Sequence, residues 1–238
     1  MAQAGGHNAY MPGYAAKQVT HHEWRNAENS AAYLLSTLTS KAEKDPNLRL
    51  LDVGCGSGTI TASLAKYMPA GHITATDVSE EILPRAREFA AEAGASNISF
   101  QTADVYSLPF EDASFDIVHA SMVLTHLDAP VQALEEMLRV TKPGGGVVAC
   151  RESDLRMWSY YPPLSGMEKT QKLLLATHEA AGGSVNGAAP LLAWATQAGA
   201  KRQQVAISFS TWSYSTPSER RIWGEPVPER GASVLETS

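Results

Sequence analysis

Leu50-Leu51-Asp52-Val53-Gly54-Cys55-Gly56-Ser57-Gly58-Thr59 runs from an apolar segment through a glycine turn into an amphipathic stretch. It reads as a strand, a tight turn and the start of a helix. Glycines at 54, 56 and 58 let the backbone turn sharply and approach a ligand with no Cβ in the way, while the helix start presents unpaired N–H groups. This is a place to bind a nucleoside-like molecule. A dinucleotide fingerprint would carry its last glycine where Thr59 stands, and a nucleotide-hydrolase phosphate loop would end in Gly-Lys-Ser/Thr. Neither pattern is present, which disfavours a nucleotide-binding oxidoreductase.

Outward from this turn, strands and helices alternate. Strands are predicted at 48–53, 72–77, 97–103, 115–120 and 146–151, with helices at 58–68, 80–93 and 130–141. Alternation at this spacing implies an α/β fold, a Rossmann-like doubly wound and mostly parallel sheet with helices on both faces. Gly94 suits the end of the second helix, Pro84 delays its regular start, and Pro130 suits a first turn. Upstream, Trp24, Ala27, Ala31, Leu34, Leu35 and Leu38 recur at helical spacing and predict a helix within 22–40. Asp45-Pro46-Asn47 then breaks the chain.

Downstream of 152 the register changes. Trp158-Ser159-Tyr160-Tyr161-Pro162-Pro163 opens a small cap insertion with a helix over about 166–181, followed by Gly182-Gly183. A helix over 190–199 and a sixth strand over 203–210 complete the pattern. The whole reads as one domain in four parts: an N-terminal arm and helix (1–47), a binding core (48–152), the cap (153–187), and the last helix, sixth strand and irregular tail (188–238).

Composition sets outer bounds. The chain has 238 residues, a formal charge of −6 and two cysteines, and no Lys/Arg cluster forms a stripe. That balance argues against nucleic acid as a partner. No apolar run reaches the roughly 18 to 20 residues that cross a bilayer, and the first residues lack a basic start and an apolar core. No membrane span is expected, and a reduced cytoplasmic setting fits Cys55 and Cys150, whose spacing matches no disulfide framework or metal site.

With Asp52 in front, Asp-x-Gly-x-Gly-x-Gly resembles the first motif of class I S-adenosylmethionine-dependent methyltransferases. Asp77 closes His72-Ile73-Thr74-Ala75-Thr76, where an acidic side chain could take both ribose hydroxyls. Asp104 closes Asn97-Ile98-Ser99-Phe100-Gln101-Thr102-Ala103; the resemblance implies that it reaches the adenine amino group and that the Val105 N–H reaches a ring nitrogen. Phe115-Asp116-Ile117-Val118-His119-Ala120-Ser121 and Lys142-Pro143-Gly144-Gly145-Gly146-Val147-Val148 follow in family order. The implied donor site comprises Asp52, Gly54, Cys55, Gly56, Gly58, Asp77, Val78, Ile82, Asp104, Val105 and Ala120, with Arg25 for the donor carboxylate.

Val123-Leu124-Thr125-His126-Leu127 resembles the branch that includes ubiquinone and menaquinone biosynthesis enzymes. The segment from His22 to Leu34 is similar to fungal and actinobacterial members acting on small molecules, and the resemblance covers about residues 10 to 223. It implies a small-molecule acceptor from secondary metabolism, methylated on oxygen, sulfur or nitrogen. A nucleic-acid base enzyme would carry Asp/Asn-Pro-Pro-Tyr/Phe where His119-Ala120-Ser121-Met122 stands, and the paired glutamates of a protein-arginine enzyme are missing. His22 and Tyr14 are the catalytic candidates on a closing arm, and His126, Trp158, Tyr160 and Tyr161 stand on the acceptor side. Each also has a plainer reading: His22 at a helix start, Arg25 paired with Glu28, His126 bonded to its own loop, the aromatics sealing the cap.

One family feature is not found. Residues 224–238 are polar and marked by proline, with no alternation to make the antiparallel seventh strand. The chain reads as shortened at its C-terminus, leaving the fifth strand's edge available to a second copy in a homodimer. A donor-binding regulatory or interaction protein of impaired activity is the competing reading.

Overall fold

A computed structural model describes residues 22–180 and 183–224, apart from the side chain of Trp223. Tyr14 and the tail beyond 224 lie outside the described residues. Five strands form one parallel sheet: β1 (Arg49–Val53), β2 (His72–Asp77), β3 (Ile98–Thr102), β4 (Ile117–Ser121) and β5 (Val147–Arg151), in the order β3-β2-β1-β4-β5. The order reverses between β1 and β4, so the carboxyl ends of these strands open a crevice at the switch point.

Helices cover both faces. On one side, α1 (Ala27–Ser30) and α2 (Ala32–Lys44) pack with α3 (Thr59–Ala65) in a core of Leu34, Leu38, Leu50, Leu64, Met68, Ile73 and Ile117. On the other, α5 (Pro130–Val140) packs Ala133, Leu134, Met137 and Val140 against Leu51, Val53, Val118 and Phe115; α4 (Leu83–Glu92) lies between them in sequence. Leu50, Leu51, Ile73, Ile117 and Val118 are completely buried. Each such side chain contributes roughly 1.5 to 3 kcal/mol by leaving water, which is why both faces of the central strands carry apolar residues.

The remaining helices are α6 (Ser165–Ala180) in the cap, α7 (Leu191–Gln197) and α8 (Pro217–Gly224). The predicted N-terminal helix is divided at Ala31, whose φ of −132° interrupts the helical run. Asn26 caps α1 by accepting from the Asn29 N–H, and Asn29 returns the bond to the Asn26 N–H. Pro84 has the anticipated effect: a 3-10 turn over Glu80–Ile82 precedes α4, and the proline falls in its first turn.

The expected sixth strand is not formed. Among the described residues, 203–210 hold the end of a 3-10 turn (Arg202–Gln204) and then irregular chain, with Ile207 and Phe209 exposed. Alternating apolar residues favour extension, but a strand forms only where the segment lies along an open edge, and 203–210 does not pair with β5. The segment is instead drawn across the crevice by Trp212, whose indole N–H donates to the Asn29 carbonyl at 2.8 Å and whose ring meets Trp24 edge-on. β5 is therefore an edge strand among the described residues.

Gly58 joins the turn to α3 at a φ of +77°, and a Cβ there would stand 2.8 Å from the Ala86 Cβ of α4. Gly58→Ala should therefore cost about 2 kcal/mol or more, combining left-handed strain with overpacking. Denaturant melts of the two proteins check this, and coincident midpoints would contradict it.

Candidate active site

The site is built where β1 meets the glycine turn. Asp52, on β1 and buried, takes the Thr61 hydroxyl of α3 on Oδ2 at 2.5 Å and faces His119 Nδ1 of β4 with Oδ1 at 2.7 Å. It thus ties two strands and a helix beneath the turn. Above it, Cys55 N–H donates to the Thr76 carbonyl at 2.9 Å, anchoring the turn to β2. Gly54 has a φ of +66°, and a Cβ there would meet Val123 Cγ2 at 2.5 Å. Gly56, at a φ of +53°, faces open space.

Asp77 ends β2 beside this turn. Its Oδ2 accepts from the Gly56 N–H at 2.9 Å and its Oδ1 from the Ser79 N–H at 3.0 Å. A carboxylate oxygen has two acceptor sites, so each still has capacity for a hydroxyl. Burial raises the carboxyl above its ordinary range, opposed by the Ser79 and Gly56 N–H groups. Asp104 ends the neighbouring path after β3 and accepts from the Tyr106 N–H at 2.9 Å.

An open cavity of about 2560 Å³ runs over the carboxyl ends of the strands and on alongside β5 to the turn at 141–147. His22, Arg25, Asp52, Gly54, Cys55, Gly56, Asp77, Val78, Ile82, Asp104, Val105, His126, Trp158, Tyr160 and Tyr161 all line it, so the spacing-based reading converges in space. Two expected members do not line it. Ala120 is fully buried among the core residues of the α5 face, because alternate residues of β4 point to opposite sides of the sheet. Gly58 turns toward α4 and is needed for helix packing.

Several roles take definite form. Burial pushes the Cys55 thiol well up, which opposes a nucleophilic thiolate. Arg25 lies over the Trp212 ring at 4.7 Å, with Arg151 over the same ring at 3.9 Å. Glu28 accepts from Ser63 and Tyr67. Trp158 and Tyr160 are half-buried, whereas Tyr161 is 94 % exposed at the rim. His126 ends a 3-10 turn (Leu124–His126) and meets the His178 ring of α6 edge-on at 5.4 Å.

The sequence reading did not single out Trp212, Tyr214, His178, Ser121 or Glu152, all of which line the cavity. A signal existed for Glu152 alone: like Asp77 and Asp104, it is an acidic residue just beyond an apolar strand. Ser121 closes β4 without a distinguishing signal, and Trp212, Tyr214 and His178 reach the site from irregular or helical chain.

Comparison with known proteins follows the same lines. A family model described as a methyltransferase domain matches residues 44–201. An uncharacterized methyltransferase of Schizosaccharomyces pombe is 37% identical over 213 residues, 85% of this chain and 72% of that protein. A probable methyltransferase ltbC of Aspergillus luteorubrus is 38% identical over 162 residues, 64% of this chain but 54% of its own length. The ubiquinone/menaquinone biosynthesis C-methyltransferase UbiE of a Ruegeria species is 35% identical over 129 residues, 54% of this chain and 49% of the relative. Among solved structures, the trans-methyltransferase CalH in complex with SAH has the same fold, with a TM-score of 0.50 at 23% identity over 69% of this chain and 48% of that one.

Burial, with His178 and Arg25 nearby, lowers His126 to about 4 from 6.5. A ring kept neutral in the fold but protonated when unfolded contributes stability above about pH 6.5 that is lost as pH falls toward 4. The wild type should lose more melting temperature than His126→Asn between about pH 6.5 and 4.5. Parallel calorimetric slopes for the two proteins would contradict the burial of this ring.

Proposed function

We propose that this chain, which belongs to the class I S-adenosylmethionine-dependent methyltransferase family, methylates a small molecule of secondary metabolism on oxygen, sulfur or nitrogen. The observation that carries the reading is the continuity of one cavity between two unlike ends. The glycine turn, Asp77 and Asp104 line one end; Trp158, Tyr160 and the cap line the other. At about 2560 Å³ the space exceeds the roughly 300 to 1,000 Å³ that a single ligand commonly fills. Two ligands can lie side by side in it.

The donor end fits its group through features of this chain. Gly56 lets the backbone pass close to a ligand, the free acceptor capacity of Asp77 suits a vicinal diol, and Asp104 with the Val105 N–H suits the edge of a purine. Arg25 offers a cation for the donor carboxylate. When bound, S-adenosylmethionine supplies a methyl group already activated on a sulfonium, so orientation and exclusion of water are the main tasks left to the protein. His22, at the start of the described chain and on the cavity wall, is proposed with Tyr14 as the arm that closes over both ligands.

Relatives lend the substrate class indirect support, through resemblance to ltbC and to quinone-biosynthesis enzymes. Their match covers about half of each relative, so the acceptor stands as part of the proposal. A cytoplasmic setting agrees with two free cysteines. Among the described residues no helix is long and apolar enough to cross a membrane. No nucleic-acid partner is proposed, on the acidic charge balance, and homodimerisation through the β5 edge is.

Asp77→Ala should weaken S-adenosylmethionine binding about ten- to a hundredfold, the equivalent of roughly 1.5 to 3 kcal/mol. Titration calorimetry with unchanged affinity would remove the ribose assignment. With methyl-labelled donor and an extract of the source cells, label should enter the organic-extractable fraction. Label confined to protein or nucleic acid would exclude a small-molecule acceptor, and binding without any labelled product would favour the regulatory reading.

A further inference from the structure

Beyond the donor end, the cavity floor at β4 and β5 is polar beneath aromatic walls. β4 ends at Ser121 and β5 at Arg151, followed by Glu152 and Ser153. Glu152 is 8% exposed. Its Oε1 accepts from the Val123 N–H at 3.0 Å and the Leu124 N–H at 2.8 Å. Its Oε2 is buried without a partner, as are Ser121 Oγ, Ser153 Oγ and His178 Nε2, and all four residues line the cavity. Capping the 3-10 turn explains Oε1 and leaves Oε2 unexplained. Buried polar atoms are nearly always paired, so Oε2 calls for a hydrogen donor from the cavity, water or a ligand.

Charge narrows the ligand's chemistry. Arg25 and Arg151 both lie over Trp212 in this cavity, which opposes an ammonium acceptor. A thiol ionises near neutral pH and needs a base least. A neutral aromatic hydroxyl needs one most and suits the walls of Trp158 and Tyr160.

Building on the methyltransferase reading above, we propose that Glu152 Oε2 is the acceptor-side base, taking the proton of a phenol-type hydroxyl seated over the ends of β4 and β5. The hydroxyl hydrogen passes to Oε2, the freed oxygen lone pair forms the bond to the methyl carbon, and the carbon–sulfur bond breaks with its electrons retained on sulfur. Ser121 and Ser153 are placed to hold the acceptor's other polar groups.

The groups around Glu152 leave it the titrating one. Burial raises it to about 7 against the backbone N–H groups of Leu124, Val123 and Thr125 and the charge of Arg151. Burial likewise raises Cys150 on β5 and Tyr33 on α2, so both stay neutral near pH 7. His126 at the end of the turn is held neutral, burial lowers His178 on α6, and burial lowers Arg151 on β5. A base poised near neutrality is matched to a phenol far better than an ordinary carboxylate.

The test compares the wild type with Glu152→Gln, which keeps an oxygen for Val123 and Leu124, and with Glu152→Asp, which shortens the reach. Naphthol is the probe, titrated by calorimetry with S-adenosylhomocysteine present, alongside infrared spectra of the carboxyl region across pH. The wild type should bind naphthol more tightly as pH rises through about 7, and Glu152→Gln should bind about tenfold more weakly without that limb. A protonated-carboxyl band should titrate over the same range and vanish in Glu152→Gln. Partial retention of the limb in Glu152→Asp supports the assignment. Failure of the wild type to bind naphthol, or identical pH profiles in wild type and Glu152→Gln, overturns it. S-adenosylmethionine binding should be equal in all three proteins; its loss in the wild type would overturn the donor reading, separately from the naphthol result.

Discussion

The Asp52 carboxylate is the tie on which the site depends. It meets His119 of β4 and Thr61 of α3 while its own backbone pairs with β2 and β4. A carboxylate left alone in such a buried place would be costly, and these two partners satisfy it. They also fix where β1 stops and where α3 starts, and the glycine turn spans that short interval. The turn's exposure of backbone toward the crevice follows from this internal clamp as much as from the glycines.

From that clamp the crevice acquires its two halves. Parallel strands all present their carboxyl ends on one side, and the reversal of order between β1 and β4 separates the neighbouring helices there. On one half stand the acidic residues Asp77 and Asp104. On the other stands Glu152, with one oxygen committed to a turn and the other turned to the cavity. Aromatic and apolar side chains from the cap and from 205–214 also line this open cavity, and the stack of Arg25, Trp212 and Arg151 joins the N-terminal region to the end of β5.

Much of this was legible in the chain. Strand β2 and helix α5 fall almost where their apolar patterns put them, and the glycine turn, Asp77 and Asp104 meet in one cavity as their spacing implied. The departures from the sequence pattern share a cause. Residues 203–210 alternate like a strand, yet they do not pair with the open edge of β5, and Trp212 just beyond them is bonded to Asn29 instead. Ala120 sits at the expected position in β4, yet the pleat turns it into the core. Gly58 belongs to the motif, yet its neighbour is Ala86 of α4.

By itself, then, the sequence determined the strand and helix order of residues 48–152, the glycine turn and the acidic residues at the strand ends. Those follow from short-range physics: apolar periodicity, glycine's backbone freedom and the reach of one side chain along its own segment. Only the tertiary structure decided which of those residues face the cavity, which serve the core, and that Glu152 carries an oxygen with no partner. Burial and pairing are set by groups distant along the chain, such as Asp52 with His119 and Arg25 with Trp212, and no local pattern encodes who meets whom.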